Sequence, residues 1–256
     1  MKVKEWCKVV SQEEIGSDIY SLWLEAPTIA DSARPGQFVS LYCKDSSRLL
    51  PRPISLCEID RDKKRLHLVY RVAGEGTREF AALKAGEAIS VLGPLGNGFP
   101  LEEAEGKRVF LIGGGIGIPP MLETAKQVSG DKIMVLGYRS ETFLLEDFQA
   151  QGPAYVATED GSRGTRGNVL DAIEAEGLEA DLIFACGPKP MLRALKTYAL
   201  EKGIPCWISM EERMACGIGA CLACVCQTPK VDAHSQVHNK RICKDGPVFA
   251  ASEVEL

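Results

Sequence analysis

The stretch Gly113-Gly-Gly-Ile-Gly-Ile-Pro-Pro120 joins a predicted strand to a predicted helix. The apolar run Arg108–Ile112 precedes it, and a helical run, Pro119–Val128, follows it and ends before Gly130. Glycines let backbone amides approach a phosphate, and the N-terminus of a helix favours the negative charge. Because a proline also suits the first helical turn, we predict a βα unit whose connecting loop binds a nucleotide phosphate.

This loop departs from the G-x-G-x-x-G fingerprint, because the third glycine position counted from Gly113 is occupied by Ile118. A tight strand–helix turn that binds nothing is the alternative, and the place of the loop in a βα unit favours the phosphate site. A second loop, Cys186-Gly-Pro-Lys-Pro-Met191, follows a later strand, at the sheet edge where ligands bind. Unless it is only a turn, we expect it to close over the other half of a dinucleotide.

The region from residue 99 to residue 213 alternates between strands and helices. The further predicted strands are Lys132–Tyr138, Tyr155–Thr158, Asp181–Ala185 and Cys206–Met210, and the further helices are Ser140–Gln149, Asn168–Ala175 and Lys189–Lys202. Five buried strands with intervening helices favour a doubly wound parallel sheet. Beyond residue 213 we expect no further helix or strand pattern.

Residues 1–98 predict a different kind of domain, since their strands are short and separated mostly by turns. These strands are Lys8–Val10, Ile19–Leu24, Gln37–Tyr42, Ile54–Glu58, Arg65–Val72 and Ala88–Leu92. Six such strands favour an antiparallel barrel. One helix, Thr77–Lys84, interrupts them, with Thr77 as its cap and Gly86 beyond its end. The breaker-rich loop Gly93-Pro-Leu-Gly-Asn-Gly98 separates this all-β part from the α/β part.

Two pieces of the predicted barrel offer an anion site. Arg52-Pro-Ile-Ser55 begins with a planar charged fork that suits a phosphate. Gly74-Glu-Gly-Thr77 leads into the short helix, whose N-terminus also favours an anion. A surface bend and an ordinary glycine turn are the respective alternatives. Tyr70 and Arg71 precede the glycines on a strand.

Four cysteines follow an iron-binding spacing. Cys216, Cys221 and Cys224 form C-x4-C-x2-C, and Cys243 lies further on, which is the plant-type pattern for a [2Fe–2S] cluster. The alternatives are a structural zinc, which usually takes two C-x2-4-C pairs, and disulfides. We interpret Cys226, two residues beyond Cys224, as a non-ligand. The cysteines in apolar stretches are expected to be buried thiols: Cys7, Cys43, Cys57 and Cys206.

The bulk composition excludes several classes of function. The chain has 256 residues, 45% of them hydrophobic and 25% charged, which allows two soluble domains and an appendage. Its net charge of −5 argues against nucleic acid as a partner. We expect no membrane span and no signal peptide, and free thiols fit the cytoplasm. His234 and His238 lie in a polar stretch and are interpreted as solvated, because Rieske ligation needs histidines among the cysteines.

A dinucleotide loop and an iron–sulfur motif in one chain together predict a third cofactor. A nicotinamide moves two electrons as hydride, whereas the cluster moves one electron at a time. A flavin is the common agent that converts between the two. The sequence therefore predicts a flavin in the barrel.

The order of these motifs resembles the ferredoxin–NADP reductase superfamily. The motifs that carry this resemblance, over residues 1 to about 213, are Arg52-Pro-Ile-Ser55, the Gly113–Pro120 loop and Cys186-Gly-Pro188. Three further stretches resemble the electron-transfer subunits of type B, NAD-dependent dihydroorotate dehydrogenases. These are Met214-Ala-Cys-Gly-Ile-Gly-Ala-Cys-Leu-Ala-Cys224, Ile242-Cys-Lys-Asp-Gly-Pro-Val-Phe249 and Thr158-Glu-Asp-Gly-Ser162.

This resemblance implies an FAD-binding β-barrel at residues 1–98, an NAD-binding α/β domain at 99–213 and a [2Fe–2S]-binding segment at 214–256. The implied FAD-binding residues are Arg52, Pro53, Ile54, Ser55, Val69, Tyr70, Arg71, Val72, Gly74, Gly76 and Thr77. The implied NAD(H)-binding residues are Gly114, Gly115, Gly117, Cys186, Gly187 and Pro188, and the implied cluster ligands are Cys216, Cys221, Cys224 and Cys243. None of these residues is implied to be catalytic in itself.

The resemblance further implies an oxidoreductase subunit of pyrimidine biosynthesis. Dihydroorotate would be oxidised on a separate FMN-bearing catalytic subunit, in a heterotetramer with two copies of each chain. Electrons would pass from FMN through the cluster and FAD to NAD+. The alternatives are a flavin and iron–sulfur reductase subunit of a hydrogenase, sulfite reductase or transhydrogenase-type complex, and a zinc-binding adaptor without activity.

Two details of the family pattern are open in this chain. Plant-type reductases end in an aromatic residue that covers the flavin ring, whereas this chain continues into the cluster segment, so the cover of the ring is undetermined. An acidic residue about 20 positions past the first glycine favours NAD. Here that region reads Tyr138-Arg-Ser-Glu141, in which Arg139 could meet the 2′-phosphate of NADP and Glu141 favours NAD only weakly. We choose NAD on the resemblance.

Overall fold

The N-terminal part of the chain forms a closed barrel of six antiparallel strands, as predicted. This computed structural model describes residues 2–231 and 236–256, so His234 lies outside the described residues. The barrel strands are β1 (Val3–Gly16), β2 (Ile19–Glu25), β3 (Phe38–Tyr42), β4 (Arg52–Asp60), β5 (Arg65–Arg71) and β6 (Ala88–Leu95). Their order around the barrel is β1-β2-β5-β4-β3-β6, and β6 returns to pair with β1.

The alternation of buried and exposed side chains along the strands explains how the barrel interior is filled. In β2, Leu22 and Leu24 are fully buried, whereas Trp23 between them is partly exposed. Successive side chains of a strand point to opposite faces, so this alternation fills the barrel interior. β1 is far longer than the predicted Lys8–Val10. Its outer face is polar, and its length is set by pairing with both β2 and β6, which a hydrophobicity pattern does not reveal.

Two short helices belong to the barrel. The first, α1 (Pro27–Ser32), was not predicted, and it begins at a proline in its first turn. The second, α2 (Glu75–Ala81), begins two residues before the predicted Thr77 and ends before Lys84. The prediction of Thr77 as the N-cap was therefore wrong, since Gly74 occupies that position. Thr77 Oγ1 instead accepts hydrogen bonds from the N–H groups of Ala73 and Gly74, at 2.9 and 3.2 Å.

The α/β part forms a mostly parallel sheet with helices on its faces. Its strands are β7 (Arg108–Gly114), β8 (Asp131–Tyr138), β9 (Ala154–Thr158), β10 (Thr165–Arg166), β11 (Leu182–Cys186) and β12 (Cys206–Ser209). Its helices are α3 (Pro119–Gln127), α4 (Leu145–Gln149), α5 (Val169–Ala175) and α6 (Lys189–Lys202). Helix α4 is shorter than the predicted Ser140–Gln149, because Leu144 has a φ of 57° and Tyr138 Oη donates to Phe143 O at 2.9 Å.

The strand order places a ligand crevice in this sheet. The order is β10-β9-β8-β7-β11-β12. Strands β8, β9 and β10 are added on one side of β7, and β11 and β12 are then added on its other side. The carboxyl ends of β7 and β11 are neighbours, with Gly113 opposite Cys186. Ligands of doubly wound sheets bind at this point of reversal. The two loops that the sequence singled out therefore face each other across one crevice.

Regular structure continues past residue 213, contrary to the prediction. The C-terminal segment contains β13 (Val225–Gln227), β14 (Asn239–Arg241), α7 (Ile242–Asp245) and β15 (Val248–Ala250). Strands β13 and β14 pair with each other, and β15 pairs antiparallel with β12 as the edge of the α/β sheet. These elements have only three or four residues, too few for a periodic pattern. Within the described residues, no helix has the length and apolar character that crossing a membrane requires.

The barrel and the α/β part are joined mainly where α3 packs against β4. Glu123 of α3 is 4% exposed, and its Oε2 accepts a hydrogen bond from Ile59 N at 2.9 Å. Lys126, one turn later, forms an ion pair with Glu58 of β4, and Glu58 Oε1 lies 2.6 Å from His67 Nδ1. The junction thus combines apolar packing with a small network of charged groups.

Candidate functional site

A cavity of about 340 Å³ opens where the barrel, the α/β sheet and the C-terminal segment meet. Its barrel wall contains eight residues predicted to bind FAD: Arg52, Pro53, Ile54, Ser55, Val69, Tyr70, Arg71 and Thr77. These residues come together because β4 begins where the antiparallel β5 ends. Of the other three residues predicted for FAD, Gly74 and Gly76 adjoin the cavity through α2, and Val72 follows β5; none of the three lines the cavity wall.

The guanidinium of Arg52 lies over the first turn of α2. A Cβ atom built on Gly76 would stand 2.1 Å from Arg52 Nε, so a side chain there would displace the arginine. Arg52 Nη1 donates a hydrogen bond to the carbonyl oxygen of Leu50. Because that partner is neutral, the positive charge is available to an anion, and the donors of the guanidinium suit a pyrophosphate.

The wall beside Arg52 is aromatic and is held in place by contacts within the protein. Tyr70 is 2% exposed, and its ring meets that of Phe80 edge-on, with centroids 6.4 Å apart. Gln12 Nε2 donates to Tyr70 Oη at 2.8 Å, and burial raises the pKa of this phenol to about 12. The ring is therefore neutral and rigid, which suits contact with the flat ring of a flavin.

Nine residues of the cavity wall were not predicted: Phe38, Ala73, Ile116, Ser209, Met210, Glu211, Glu212, Met214 and Pro247. Three of these follow recognisable signals. Ile116 lies within the glycine loop, and Ser209 ends the last parallel strand, at the edge where ligands bind. Met214 precedes the first cluster cysteine. Phe38 is an ordinary apolar strand residue, and no sequence signal distinguishes it.

The segment after β12 contributes four residues to the cavity wall. Met210, Glu211, Glu212 and Met214 all line the cavity. Protein atoms around the carboxyl group of Glu211 raise its pKa, although the residue remains exposed to solvent. This part of the wall therefore consists of methionine and glutamate side chains, and none of the four is aromatic.

The two loops of the α/β crevice are in close contact. A Cβ atom on Gly117 would lie 2.5 Å from the carbonyl carbon of Cys186, and one on Gly114 would lie 2.4 Å from Met191 Sδ. Gly117 is therefore required by loop packing, because the atoms it would meet are backbone, whereas at Gly114 the flexible Met191 side chain would have to shift. Gly115 differs, because its φ is +54° and its missing side chain faces open space. Among the glycines predicted to bind NAD, Gly115 is the one with room for a ligand.

The start of α3 offers fewer phosphate donors than the sequence suggested. Pro119 and Pro120 fill its first two positions and have no N–H group, and Met121 N donates to Ile118 O. The helix dipole remains, but amide donors for a phosphate must come from residues 115–117. Ile116 of this loop also lines the cavity beside the barrel, so the crevice and that cavity share one wall.

Cys186 lies where the crevice meets the cavity. It is fully buried, and burial raises the pKa of its thiol, although Ser209 on the neighbouring strand donates an opposing hydrogen bond. Cys186 is therefore a neutral thiol beneath the crevice, next to the cavity-lining Ser209. Gly187 and Pro188 continue the loop against Gly114.

Glu141 is occupied by a contact between domains. Its Oε2 accepts a hydrogen bond from Ser17 N, at the turn between β1 and β2, at 2.9 Å. That bond lowers the pKa of Glu141. Arg139 stands just past the end of β8, at the same edge of the sheet. The acidic residue that favoured NAD is thus engaged in joining the barrel to the sheet.

The four cluster cysteines form two pairs. Cys216 and Cys221 interact through their thiols, as do Cys224 and Cys243. Cys216 Sγ accepts from Ala220 N at 3.2 Å and from Ile218 N at 3.5 Å. Burial acts against the thiolate, but hydrogen bonds from Ile218, Cys221 and Ala220 together outweigh it and lower the pKa of Cys216 to about 6. Cys224 Sγ accepts from Cys243 N at 3.4 Å. Amide donors directed at sulfur suit thiolates that bind a metal.

The spacing of the sulfurs distinguishes the metal alternatives. Zinc bound by four thiolates at about 2.3 Å would hold all four sulfurs roughly 3.8 Å apart. Although all four cysteines are described, no three of their sulfurs lie within 4.8 Å of one another. Two pairs are the arrangement expected of a two-iron cluster, in which each iron takes two cysteines. The ten cysteines are free thiols, so the disulfide alternative is not realised in this structure.

Cys226 lies apart from these pairs. It is buried on β13, and its Sγ donates towards Lys240 O at 3.5 Å, across the β13–β14 ribbon. Burial also raises the pKa of its thiol. These contacts agree with the interpretation of Cys226 as a non-ligand. Cys7, Cys57 and Cys206 are buried, as expected, and Cys43 is only partly so.

Barrel, crevice and paired cysteines define an FAD-binding oxidoreductase that carries an iron–sulfur cluster. Two family models match the chain: an oxidoreductase FAD-binding domain over residues 6–99, and the iron–sulfur cluster binding domain of dihydroorotate dehydrogenase B over residues 211–255. The chain belongs to the family of dihydroorotate dehydrogenase B electron transfer subunits. The predicted family, the fold class and the cofactors FAD and [2Fe–2S] are thereby confirmed.

The relatives that establish this family are similar over their whole length. The dihydroorotate dehydrogenase B (NAD(+)) electron transfer subunit of Bacillus caldolyticus is 47% identical, over 99% of each chain. That of Geobacillus kaustophilus is also 47% identical over 99% of each chain. That of Bacillus cereus is 44% identical over the full length of both.

Solved structures show the same architecture. The NADH-dependent reduced ferredoxin–NADP oxidoreductase superposes with a TM-score of 0.84 at 28% identity, covering 97% of this chain and 89% of that chain. The flavohemoglobin of Malassezia yamatoensis superposes with a TM-score of 0.64 at 21% identity, over 79% of this chain and 57% of that chain. The second similarity extends to the fold alone.

Proposed function

We propose that this chain passes electrons from the FMN of a dihydroorotate-oxidising subunit, through its own [2Fe–2S] cluster and FAD, to NAD+ during pyrimidine synthesis. One observation carries the proposal: a single cavity is lined by the barrel, by the nucleotide loop and by the cluster segment. Arg52, Ile116 and Pro247 represent these three regions in its wall. The bound flavin supplies the conversion between hydride and single-electron transfer.

The residues of the chain bind and orient; they do not react. Arg52 would hold the pyrophosphate of FAD, and Tyr70 would support the ring. Residues 115–117 with Cys186, Gly187 and Pro188 would place the nicotinamide against the flavin. Cys216, Cys221, Cys224 and Cys243 would bind the cluster. These roles correspond to three functional regions, residues 1–98, 99–213 and 214–256.

The surface around the outer cysteines supports a protein partner. Cys221 is exposed, and Ile218, Leu222 and Val225 near it are 45%, 60% and 38% exposed. Apolar side chains grouped at a surface suit a protein interface. We propose that the FMN-bearing subunit docks on this face, within a heterotetramer of two copies of each chain in the cytoplasm.

Stopped-flow mixing of the isolated chain with single reductants tests the proposal. NADH is expected to bleach the FAD, because the nucleotide crevice opens onto the flavin cavity. Dihydroorotate alone is expected to leave it oxidised, since its oxidation belongs to the partner. Rapid bleaching of the FAD by dihydroorotate would contradict the assignment of dihydroorotate oxidation to the partner subunit. A strong preference for NADPH would show that Arg139, and not the family pattern, determines the nucleotide.

A second candidate function has one observation in its favour. The NADH-dependent ferredoxin–NADP oxidoreductase matches nearly this whole chain at a TM-score of 0.84. A transhydrogenase-type complex would use the same cofactors with another partner. Co-purification separates the candidates: a dihydroorotate-oxidising flavoprotein bound to the chain supports the first, and a different flavoprotein supports the second.

A further inference from the structure

The turn after β6 is bound to the segment that follows the fourth cluster cysteine. Asn97 Nδ2 donates to Val248 O at 2.8 Å, and Asn97 Oδ1 accepts from Val248 N at 2.9 Å. Asn97 N donates to Gly246 O at 2.7 Å, and Asn97 Nδ2 also lies 3.4 Å from Asp245 O. One side chain thus satisfies both backbone groups of Val248, as a neighbouring strand would.

The neighbouring glycine makes this approach possible. Gly96 has a φ of +72°, and a Cβ atom there would stand 2.4 Å from Pro247 Cδ and 2.7 Å from Gly246 O. Gln37 Nε2 donates to Gly96 O at 2.7 Å, which anchors the turn to the barrel. The turn is therefore fixed on the barrel side, and residues 245–248 are fixed against it.

The segment held by Asn97 connects the two cofactor sites. Cys243 lies in α7, which ends at Asp245, the first residue that Asn97 contacts. Pro247 lines the flavin cavity, and its carbonyl oxygen accepts from Met210 N, another cavity residue, at 2.9 Å. Asn97 itself does not line the cavity. Its contacts set the position of the cysteine relative to the cavity wall.

We propose that Asn97 is a positioning residue for electron transfer between the flavin and the cluster. The inference rests on the proposed function, because it requires electrons to pass between these two groups. The rate of electron tunnelling falls steeply with distance, so a small displacement of Cys243 slows the transfer. Three of the four hydrogen bonds that hold residues 245–248 to the barrel turn come from the Asn97 side chain.

Two variants of Asn97 test this role in the chain loaded with both cofactors. Asn97→Ala removes the three side-chain contacts, and Asn97→Asp keeps the shape and the acceptor but loses the donor to Val248 O. The matched control is Asn168→Ala, because Asn168 also accepts from a backbone amide, Leu170 N at 2.8 Å, but lies in the α5 cap. Stopped flow follows FAD reduction by NADH, freeze-quench EPR follows cluster reduction, and hydrogen exchange follows the Val248 amide.

Both Asn97 variants are expected to keep their iron and FAD and to accept electrons from NADH at the unaltered rate. Cluster reduction is expected to slow by about tenfold, as small misplacements of reacting groups typically do. The Val248 amide is expected to exchange faster, and Asn168→Ala is expected to match the unaltered chain in all three measurements.

Unaltered cluster reduction in both variants, with faster exchange at Val248, would overturn the inference and leave the proposed function intact. Loss of iron from both variants would also overturn it, since Asn97 would then be required for assembly. If NADH failed to reduce FAD in the unaltered chain, the proposed function would fall and the inference with it. The two failures are therefore distinguishable.

Discussion

The flavin cavity and the cluster segment are built in opposite ways. The barrel side of the cavity wall is formed mainly by β4 and β5, strands of nine and seven residues in a closed barrel, with Tyr70 buried and hydrogen-bonded. The cluster segment has elements of three or four residues, and its cysteine sulfurs are contacted by backbone amides. The barrel wall is thus held by long paired strands and buried contacts, whereas we expect the cluster segment, with its short elements, to depend on its metal and on contacts with the barrel.

This difference indicates how strongly the folded shape of each region depends on its cofactor. The barrel is held by its own strand pairing and by the hydrogen bond to Tyr70, so we expect it to keep its shape without FAD. Removing the cluster leaves two pairs of thiols, one of them reaching the surface and the other buried. We therefore expect changes in the cluster segment to abolish metal binding without affecting the flavin. Changes in the barrel should weaken flavin binding according to the strength of the interaction that each substitution removes.

The largest expected effect is at Cys243. Cys243→Ser should abolish the iron–sulfur absorbance, because the buried pair with Cys224 loses a thiolate ligand. FAD should remain bound, since the barrel wall is unchanged. Iron content and visible absorbance measure both results in one sample.

Cys226→Ser is the matched control for the cluster, because Cys226 is equally a buried cysteine of this segment. It should retain the full complement of iron. Loss of iron from Cys226→Ser together with its retention in Cys243→Ser would reverse the ligand assignment. Loss of FAD from Cys243→Ser would show that the two regions are not independent.

The next effect concerns the Arg52 contact with α2. Arg52→Ala should weaken FAD binding by about 2–3 kcal/mol if the arginine makes a charge-assisted pair with the pyrophosphate. This corresponds to roughly 30- to 150-fold in Kd. Gly76→Ala should act in the same direction, because its Cβ atom would stand 2.1 Å from Arg52 Nε and displace the guanidinium. Flavin titration of the apoprotein measures both.

Gly74→Ala is the control for this pair, because Gly74 has open space where a Cβ atom would lie and an extended φ of −178°. It should weaken FAD binding less than Gly76→Ala does, because it leaves Arg52 in place. Equal flavin affinity in Gly76→Ala and Gly74→Ala would mean that the position of Arg52 is irrelevant to binding.

A smaller effect is expected in the nucleotide crevice. Gly117→Ala should destabilise the fold by about 1–3 kcal/mol, because the new methyl group overpacks the Cys186 loop. Gly115→Ala has open space, and its cost should be only that of the positive φ, about 1 kcal/mol. Chemical denaturation measures the free energy of unfolding of the two variants. A larger loss of stability in Gly115→Ala than in Gly117→Ala would contradict the role of Gly117 in joining the loops.

The smallest effect concerns pH and the junction between β4 and α3. Burial raises the pKa of Glu58, but hydrogen bonds from His67 and Lys126 outweigh it and hold the pKa below its ordinary value of 4.5. A lowered carboxyl pKa adds stability above about pH 4.5, which is lost as the pH falls through the lowered value. Glu58→Gln should therefore cost about 1 kcal/mol at neutral pH and flatten the acid-induced loss of stability.

Glu87→Gln provides the comparison for Glu58, because Glu87 also has a lowered pKa, held by Lys44, but lies on the surface. Surface pairs contribute little, so this variant should leave the acid unfolding curve unchanged. Acid titrations followed by tryptophan fluorescence test the two together. Identical curves for Glu58→Gln and the unaltered chain would show that the network is not coupled to folding.

The parts of the fold that sequence could predict are those with a repeated pattern. The barrel strands and the five main strands of the parallel sheet alternate or run apolar over enough residues to be recognised. Strand β15 was missed, because three residues carry no period and their pairing with β12 is decided by tertiary contact. Helix α4 was predicted too long, because a left-handed residue at Leu144 delays its start.

The residues of the candidate site also differ in whether the sequence could predict them. Motifs defined by spacing along the chain, such as Arg52–Ser55 and the four cysteines, could be proposed as cofactor sites from the sequence, and Arg52–Ser55 does line the cavity. Phe38, Met210 and Pro247 could not, since they reach the cavity wall only through folding. The sequence explained the glycines of the Gly113–Pro120 loop by phosphate binding alone. The structure adds a second reason for Gly117, which is its close contact with the backbone of Cys186.

Because β15 pairs with β12, the cluster segment cannot readily be transferred to another protein as a separate unit. A designer who grafted residues 214–245 onto another reductase would omit Val248, which pairs with Ser209 and is held by Asn97. The recipient would need this edge strand and a matching asparagine turn as well as the four cysteines. Portability of the redox module is thus limited by a strand of three residues at the far end of the chain.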